Sequence, residues 1–377
     1  VCRRGAGTRG MRVSRGVVWA RGGPPKGAIG VGGGAAGGGT CGRVVAPVVG
    51  DVALAPVPAP GAADGRELAN KLSDYVTPED DGAKGDGTSD DTAAISAALA
   101  SGKHVHLGPH TYLVTSIVLT SAQRLEGSGR RLTIVKGSQA VGDVISVQAQ
   151  GFDIRDLTVD RAVAATSGAG IHVFNEMGAG VIDNIVSQNQ WNGFVLGATA
   201  QAYASNITAQ YNYSDGIVVT TDAAMPAAQW TIRDALSQMN DGLGWSFWAA
   251  ATTSSKGNQT GPSLFNCGSY ANTAGGWSFS GDSGSAWNDI NAYEVYSSFD
   301  NGAGIAFYNA GRNNQFLDTF SELTGATATG RSRQTAATHS GAGIFIGGGH
   351  AGGYLTLGGT VQNNAAQGLV VAPEAQL

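Results

Sequence analysis

The sequence predicts an all-β fold: a single-stranded parallel β-helix, entered through one short N-terminal capping helix. Three observations carry this prediction. Glycine is abundant, with 59 among 377 residues, where ordinary domains hold about 7 %, so many tight turns must join many short strands. A glycine followed by apolar–any–apolar recurs as GIHV from 170, GFVL from 193, GIVV from 216, GWSF from 244 and 276, GIAF from 304, GIFI from 343 and GLVV from 368. Four residues before six of these eight glycines stands an Asn or Asp: Asn189, Asn212, Asn240, Asn272, Asp300 and Asn364.

Between the markers each unit carries a second strand-like segment, such as VIDNIVSQN, ASNITAQYN, WTIRDALSQMN and INAYEVYSSFD. A unit is therefore strand, variable loop, strand and asparagine turn, repeating every 23–39 residues. Units this short cannot bury their own apolar face and must stack on their neighbours. A propeller blade needs four strands in about 40–45 residues, and a leucine-rich repeat needs its leucine consensus. Neither pattern is present, which leaves one coil of a β-helix per unit.

The chain divides into three regions. Residues 1–64 read as a low-complexity, disordered leader and linker: the first 50 hold eight basic residues, no acid and 16 glycines, and a Pro/Ala stretch follows from 46 to 64. That leader lacks the apolar core of a secretory signal. The chain begins with valine, and Met11 is a second possible start. Residues 65–115 hold a glycine-rich turn that runs into Asp90 and Asp91, either able to cap an apolar-periodic helix Thr92–Ala100 that Gly102 ends. The first coil follows as HVHLG and HTYLV, and residues 116–377 form the β-helix proper.

Composition excludes several classes. The glycines do not recur every third residue, so collagen is ruled out. No run of about 18 apolar residues exists to span a membrane. A basic leader ahead of a body with 15 basic against 28 acidic residues fits a nucleic-acid-binding arm. The leader has no heptads, strand alternation or aromatic platform, however, and its glycine runs favour disorder, so no nucleic-acid partner is expected. Three cysteines, Cys2, Cys41 and Cys267, make no disulfide framework or metal spacing.

The segment Asp80–Ile95, DDGAKGDGTSDDTAAI, with HVHLGPHTYLV after it and LSDYVTPED before it, resembles the opening motif of the pectate-lyase-like superfamily. Two positions depart from the pattern: Asp81 stands where an aromatic is expected, and His110 where a glycine is expected. The resemblance implies a right-handed β-helix of the kind found in phage tailspikes and polysaccharide depolymerases. It also implies an extracellular or virion-surface location, a polysaccharide substrate and a homotrimer. Fold alone does not define the chemistry.

Residues one and three after each marker glycine should point inward, which makes Trp245 and Trp277 core residues. Positions four and six should then point outward. They include Phe174, Trp248 and Tyr308 as rings that can stack on a sugar, and Glu176, Asp222 and Asp282 as carboxylates. Coils stack about 4.8 Å apart, so carboxylates two coils apart lie roughly 10 Å apart, near the upper end of the ~6.5–9.5 Å used in inverting hydrolysis. Asp222 and Asp282 are thus the expected acid/base pair, with Trp248 between them and Glu176 as a further catalytic candidate. The competing interpretation makes these carboxylates solvated turn residues.

The longest loops bring Trp287 forward as a substrate contact, with Asp241 and Asp289 as nearby acids. A second ladder, Asn184, Asn206, Asp234, Asn266, Glu294 and Asp318, mainly satisfies turn backbone groups, and Glu294 is its candidate for substrate binding. An eliminating lyase needs a base and cations against a uronate, with calcium as one possible cofactor. From 162 to 311 the only basic side chains are His172, Arg233 and Lys256, which favours a hydrolase needing no cofactor. A non-catalytic glycan-binding fibre segment is the contrasting class.

Overall fold

The structure is a computed structural model that describes residues 74–371 apart from 149, 175, 222–226, 251–258, 282–286, 309–313, 323–341, 348–354 and 365–367. The predicted leader and linker, residues 1–64, lie outside the described residues. Among the described residues every strand pairing is parallel, and Thr92–Ala100 (α1) is the single α-helix. No helix there is long and apolar enough to cross a membrane.

The cap is built from the opening motif. Helix α1 buries Ala94, Ile95, Ala98 and Leu99 against the first coils, and Gly102, at φ 69°, ends it as predicted. Asp91 caps differently from expectation. Its carboxylate accepts the backbone N–H groups of Lys84 at 2.6 Å and Gly85 at 3.2 Å, so it fastens the glycine-rich turn rather than the helix. Asp90 takes the helix end instead, accepting the Thr92 N–H at 2.9 Å. Asp81 and His110, the two departures, are both exposed. Closure of the cap comes from buried Tyr112, whose hydroxyl donates to Glu79 at 2.5 Å.

Beyond the cap the chain winds as the predicted parallel β-helix. One sheet stacks ten strands from Ile117–Leu119 to Leu369–Val371, the last eight of them the marker strands; the other joins fifteen strands and holds the second segment of each coil. That second segment is bent once per coil. Asp156, Asn184, Asn206, Asp234, Asn266, Glu294 and Asp318 occupy the bend with φ between 50° and 57°. Asn and Asp tolerate this left-handed conformation better than other non-glycine residues, which explains the ladder of such residues. A second left-handed corner follows at Asn189, Tyr211, Met239, Ala271, Phe299 and Asn363.

The asparagine turn is a buried hydrogen-bonded column. Backbone N–H and Nδ2 of Asn212 both donate to Asn240 Oδ1, those of Asn240 to Asn272 Oδ1, and those of Asn272 to Asp300 Oδ1, all at 2.8–3.0 Å. Asn189 does not join it, contrary to the sequence pattern. Its turn is one residue shorter, so Gln190 takes the rung and donates its N–H to Asn212 Oδ1 at 2.9 Å, while Asn189 reaches Asp160 at 2.7 Å. Arg161 closes the acceptor end by donating to Gln190 Oε1 at 2.8 Å. A buried cation and a buried carboxylate thus terminate opposite ends of one column of aligned amides.

Inside, side chains of successive coils stack in register. Seven of the eight predicted inward pairs are buried, from Ile171 and Val173 to Ile344 and Ile346, whereas Leu369 and Val371 after the last marker glycine are exposed. Trp245 lies on Trp277 with centroids 4.5 Å apart and planes 5° from parallel, and Phe247 lies on Phe279 at 4.4 Å. Each buried indole N–H finds a carbonyl: Trp230 donates to Gly197, Trp245 to Gly268 and Trp277 to Tyr296. Among the described residues these buried indoles are all paired, as buried polar groups require.

Candidate functional site

The outer side of the marker strands carries the predicted aromatics. Trp248 is 43 % and Phe174 37 % exposed, and Thr220, Trp248 and Ser280 align across three coils. Tyr308 is half-buried against Phe345. Phe174 lies over His172 at 3.8 Å between centroids, and His172 Nδ1 is 2.8 Å from Asp143 Oδ2. Burial pushes the Asp143 carboxyl up, but the His172 contact and the Ala169 N–H outweigh it and hold it below the ordinary range.

The alternation does not run on to position six. Thr199, expected to face outward, is 1 % exposed and donates to the Gly178 carbonyl at 3.0 Å. It already opens the strand Thr199–Ser205 of the other sheet, so the chain has turned a corner between positions four and six. Asp222 and Asp282 lie outside the described residues, as does the side chain of Glu176. Two expectations are corrected outright. Trp287 is fully buried, edge-on to Phe247, with its indole N–H donating to Ser280 O at 3.2 Å. Asp241 is fully buried as well. Neither can touch a polymer running along the outside.

A groove of about 330 Å³ opens instead on the second sheet. Four successive coils supply it, through the strands Thr199–Ser205, Ala228–Gln238, Ser263–Tyr270 and Asn291–Ser298. Register places Tyr203, Thr231, Ser263 and Asn291 in one outward column. Gln201, Gln229, Thr260 and Asp289 line the neighbouring wall. Tyr203 is 51 % exposed and offers a flat ring. Asp289, one of the predicted acids, is exposed at the rim with φ 56° and is the one carboxylate among the described lining residues.

The next outward column on the same flank is aromatic and cationic. Arg233 sits over the Phe265 ring at 4.5 Å from its centroid, and Phe265 stacks on Tyr293 at 5.5 Å. Glu294 follows at the left-handed bend, exposed, with Asp318 one coil further on. Hydroxyls, amides and one carboxylate, with the exposed Tyr203 ring beside them, suit a ligand that has both many hydroxyls and apolar C–H faces. Alternation about buried Ala202 and Ala204 turns Tyr203 outward. The sequence carries that alternation, whereas the marker glycines report only on the opposite sheet.

Opening motif, single cap helix and stacked parallel coils together define a pectate-lyase-like β-helix. Residues 76–261 match the family described as rhamnogalacturonase A/epimerase, pectate lyase-like. Over 114 residues the chain is 35 % identical to "Depolymerase 1, capsule K30/K69-specific" of Klebsiella phage K5-2, a match covering 26 % of this chain and 14 % of that protein. Among solved structures it resembles tailspike protein 2 of Escherichia coli O157:H7 bacteriophage CAB120, with a TM-score of 0.52, 13 % identity, and coverage of 75 % of this chain and 38 % of that one. Gene product 12 of bacteriophage phi29 is similar too, at 0.52 and 17 %, covering 74 % and 42 %. These two likenesses show the shared fold, and the chain spans less than half the length of each of these relatives.

Proposed function

We propose that the protein binds a long polysaccharide across its coils in the Tyr203–Asn291 groove and cleaves it by hydrolysis, as part of a depolymerase displayed on a virion surface. The single observation that carries this is the groove itself: four coils present Gln201, Gln229, Thr231, Ser263 and Asn291 side by side with the exposed Tyr203 ring. Side-chain amides and hydroxyls exchange hydrogen bonds with sugar hydroxyls, and the ring covers a sugar's apolar face. The capsule-specific depolymerase of Klebsiella phage K5-2 supports the choice of a polysaccharide.

Asp289 is the acid/base candidate at the rim of the groove, and Asp222 and Asp282 remain candidates for its partner. The described chain resumes after them at Ala227 and Trp287, two residues before Gln229 and Asp289. Hydrolysis with a water between two carboxylates needs no metal. Elimination would call for a base and a cation, with calcium as the cofactor. No Lys, Arg or His is among the described residues lining the groove, which favours hydrolysis. Homotrimeric assembly belongs to the same proposal, and light scattering of the purified chain checks it.

The test is reducing-end release from a panel of bacterial capsular polysaccharides, recorded with ultraviolet absorbance for unsaturated uronates. New reducing ends without that absorbance, lost in Asp289→Asn, are expected. New ends with the absorbance, abolished by chelation, would make the enzyme a lyase. Retained binding without new ends would make it a non-catalytic glycan-binding segment.

A further inference from the structure

A second groove, of about 390 Å³, lies on the part of the second sheet beyond the left-handed bend. Its floor alternates apolar and hydroxyl side chains of successive coils, Ile134, Thr158, Val186, Thr208 and Leu236, which fall in one register column. Beside that column runs a glutamine ladder. Gln238 Nε2 donates to Gln210 Oε1 at 2.9 Å, and Gln210 Nε2 donates to Gln188 Oε1 at 3.0 Å. The amide dipoles therefore align, with their acceptor end at Gln188, on the N-terminal side of the groove.

Arg130 and Arg131 stand at the same side. The turn that carries them is held by its backbone: Gly129 N–H donates to Asp156 O at 2.9 Å, Leu132 and Thr133 N–H both donate to Gly129 O at 2.9 Å, and the Thr158 hydroxyl donates to Arg130 O. Other arginines of the described chain are committed elsewhere. Arg124 and Arg155 pair with Glu126, Asp153 and Asp183, Arg161 is buried against carbonyls, and Arg233 covers Phe265. No such ion pair engages Arg130 or Arg131 among the described residues. Asp160, next to Gln188 in the ladder column, already accepts from Asn189 and from the Arg161 N–H.

From this geometry we infer that the Arg130–Gln238 groove is a second saccharide site, specific for a sugar bearing an anionic substituent, a carboxylate or a sulfate ester. Two guanidinium groups on a fixed turn present the planar donors that bind carboxylate or sulfate in pairs. Ile134, Val186 and Leu236 cover the ring's apolar face, and the glutamines take its hydroxyls. The groove is separated from the Tyr203 groove by the bend, and it serves to hold an acidic chain rather than to cleave it.

Calorimetric titration of the purified chain tests this with four probes: tetragalacturonate, its methyl ester, a chondroitin sulfate tetrasaccharide and inorganic phosphate, with maltotetraose as neutral control. The expected result is binding of at least one acidic saccharide, weakened by salt, with no binding of the ester or maltotetraose. Arg130→Gln with Arg131→Gln should lose about tenfold to a hundredfold in affinity, as expected for charge-assisted hydrogen bonds, while the double lysine variant keeps part of it. Tyr203→Ala should leave this binding unchanged, which separates it from the glycan groove. No binding of any acidic saccharide, equal binding of the ester, equal binding by the double glutamine variant, or phosphate binding as tight as the saccharide would overturn the inference.

Discussion

Both amide donors of Asn272, the backbone N–H and Nδ2, end on Oδ1 of Asp300, at 2.8 and 2.9 Å. Asp300 also accepts the Ser297 hydroxyl at 2.6 Å. The two preceding rungs show the neutral version of this turn, since Asn240 Nδ2 donates to Ser237 Oγ at 3.0 Å and Asn272 Nδ2 to Ser269 Oγ at 2.9 Å. Complete burial pushes the Asp300 carboxyl up to about 6, against the lowering effect of these hydrogen bonds.

A carboxyl raised in the folded state binds its proton more tightly there than in the unfolded chain. Its stabilising contribution is complete below the ordinary value of 3.8 and is lost as pH rises through about 6. The loss is about 3 kcal/mol, from 1.36 kcal/mol per pH unit. Asp300→Asn can reproduce the Ser–Asn pattern of the other rungs without a charge. Thermal melts should therefore show the variant gaining on the parent between pH 4 and pH 7 (~4 and ~7 bracketing the two pKa values). Parallel melting profiles would contradict this.

Marker glycines from Gly170 to Gly276, and Gly343, are required by space, whereas a Cβ at Gly368 would meet only Val361 Cγ1 at 3.5 Å. A Cβ at Gly216 would meet Ser237 Oγ and lie 2.6 Å from Asn240 Nδ2, and one at Gly244 would meet Ser269 Oγ and lie 2.8 Å from Asn272 Nδ2. Each would also approach the carbonyl of the next marker glycine at 2.9 Å. Gly216→Ala and Gly244→Ala should each destabilise by about 2–4 kcal/mol through overpacking and a broken buried hydrogen bond. Urea denaturation measures the loss.

Trp277 lies within the indole and phenyl stack, against Trp245 and within 6.2 Å of Phe247. Trp277→Ala should cost about 3–5 kcal/mol by opening a cavity and stranding the Tyr296 carbonyl. Trp248→Ala, on the exposed outer side, should change stability by less than about 0.5 kcal/mol. Denaturant midpoints of the two variants decide the point.

Tyr203 and Asn291 lie at opposite ends of one outward column. Tyr203→Ala and Asn291→Ala should each weaken binding of a capsular oligosaccharide by about tenfold, equivalent to about 1.4 kcal/mol, without lowering the melting temperature. Phe174→Ala should leave that binding unchanged. The affinity comparison is made on inactive Asp289→Asn protein, so that cleavage does not consume the ligand.

Much of the fold was legible because glycine and asparagine report on backbone geometry directly. Gly216 marks a place with no room for a Cβ, and Asn240 a buried amide rung. The same pattern sorted Trp245 inward and Trp248 outward. Asn189 misled because its turn is one residue shorter, a change that residue identity does not record. Trp287 departs from expectation because the end of a long loop turns inward and sets the indole edge-on to Phe247, which loop length does not reveal. The groove was harder to see. Its residues, from Gln201 to Asn291, are ordinary polar strand residues that gain meaning only when four coils are laid in register.

The most direct measurement is a crystal structure of the Asp289→Asn protein soaked with an oligosaccharide of the polymer it binds. The sugar chain should cross the coils between Tyr203 and Asn291, with one ring against the tyrosine and hydroxyls on Gln201, Gln229 and Ser263. An oligosaccharide seated along Phe174 and Trp248, with the Tyr203 groove holding only solvent, would contradict the assignment.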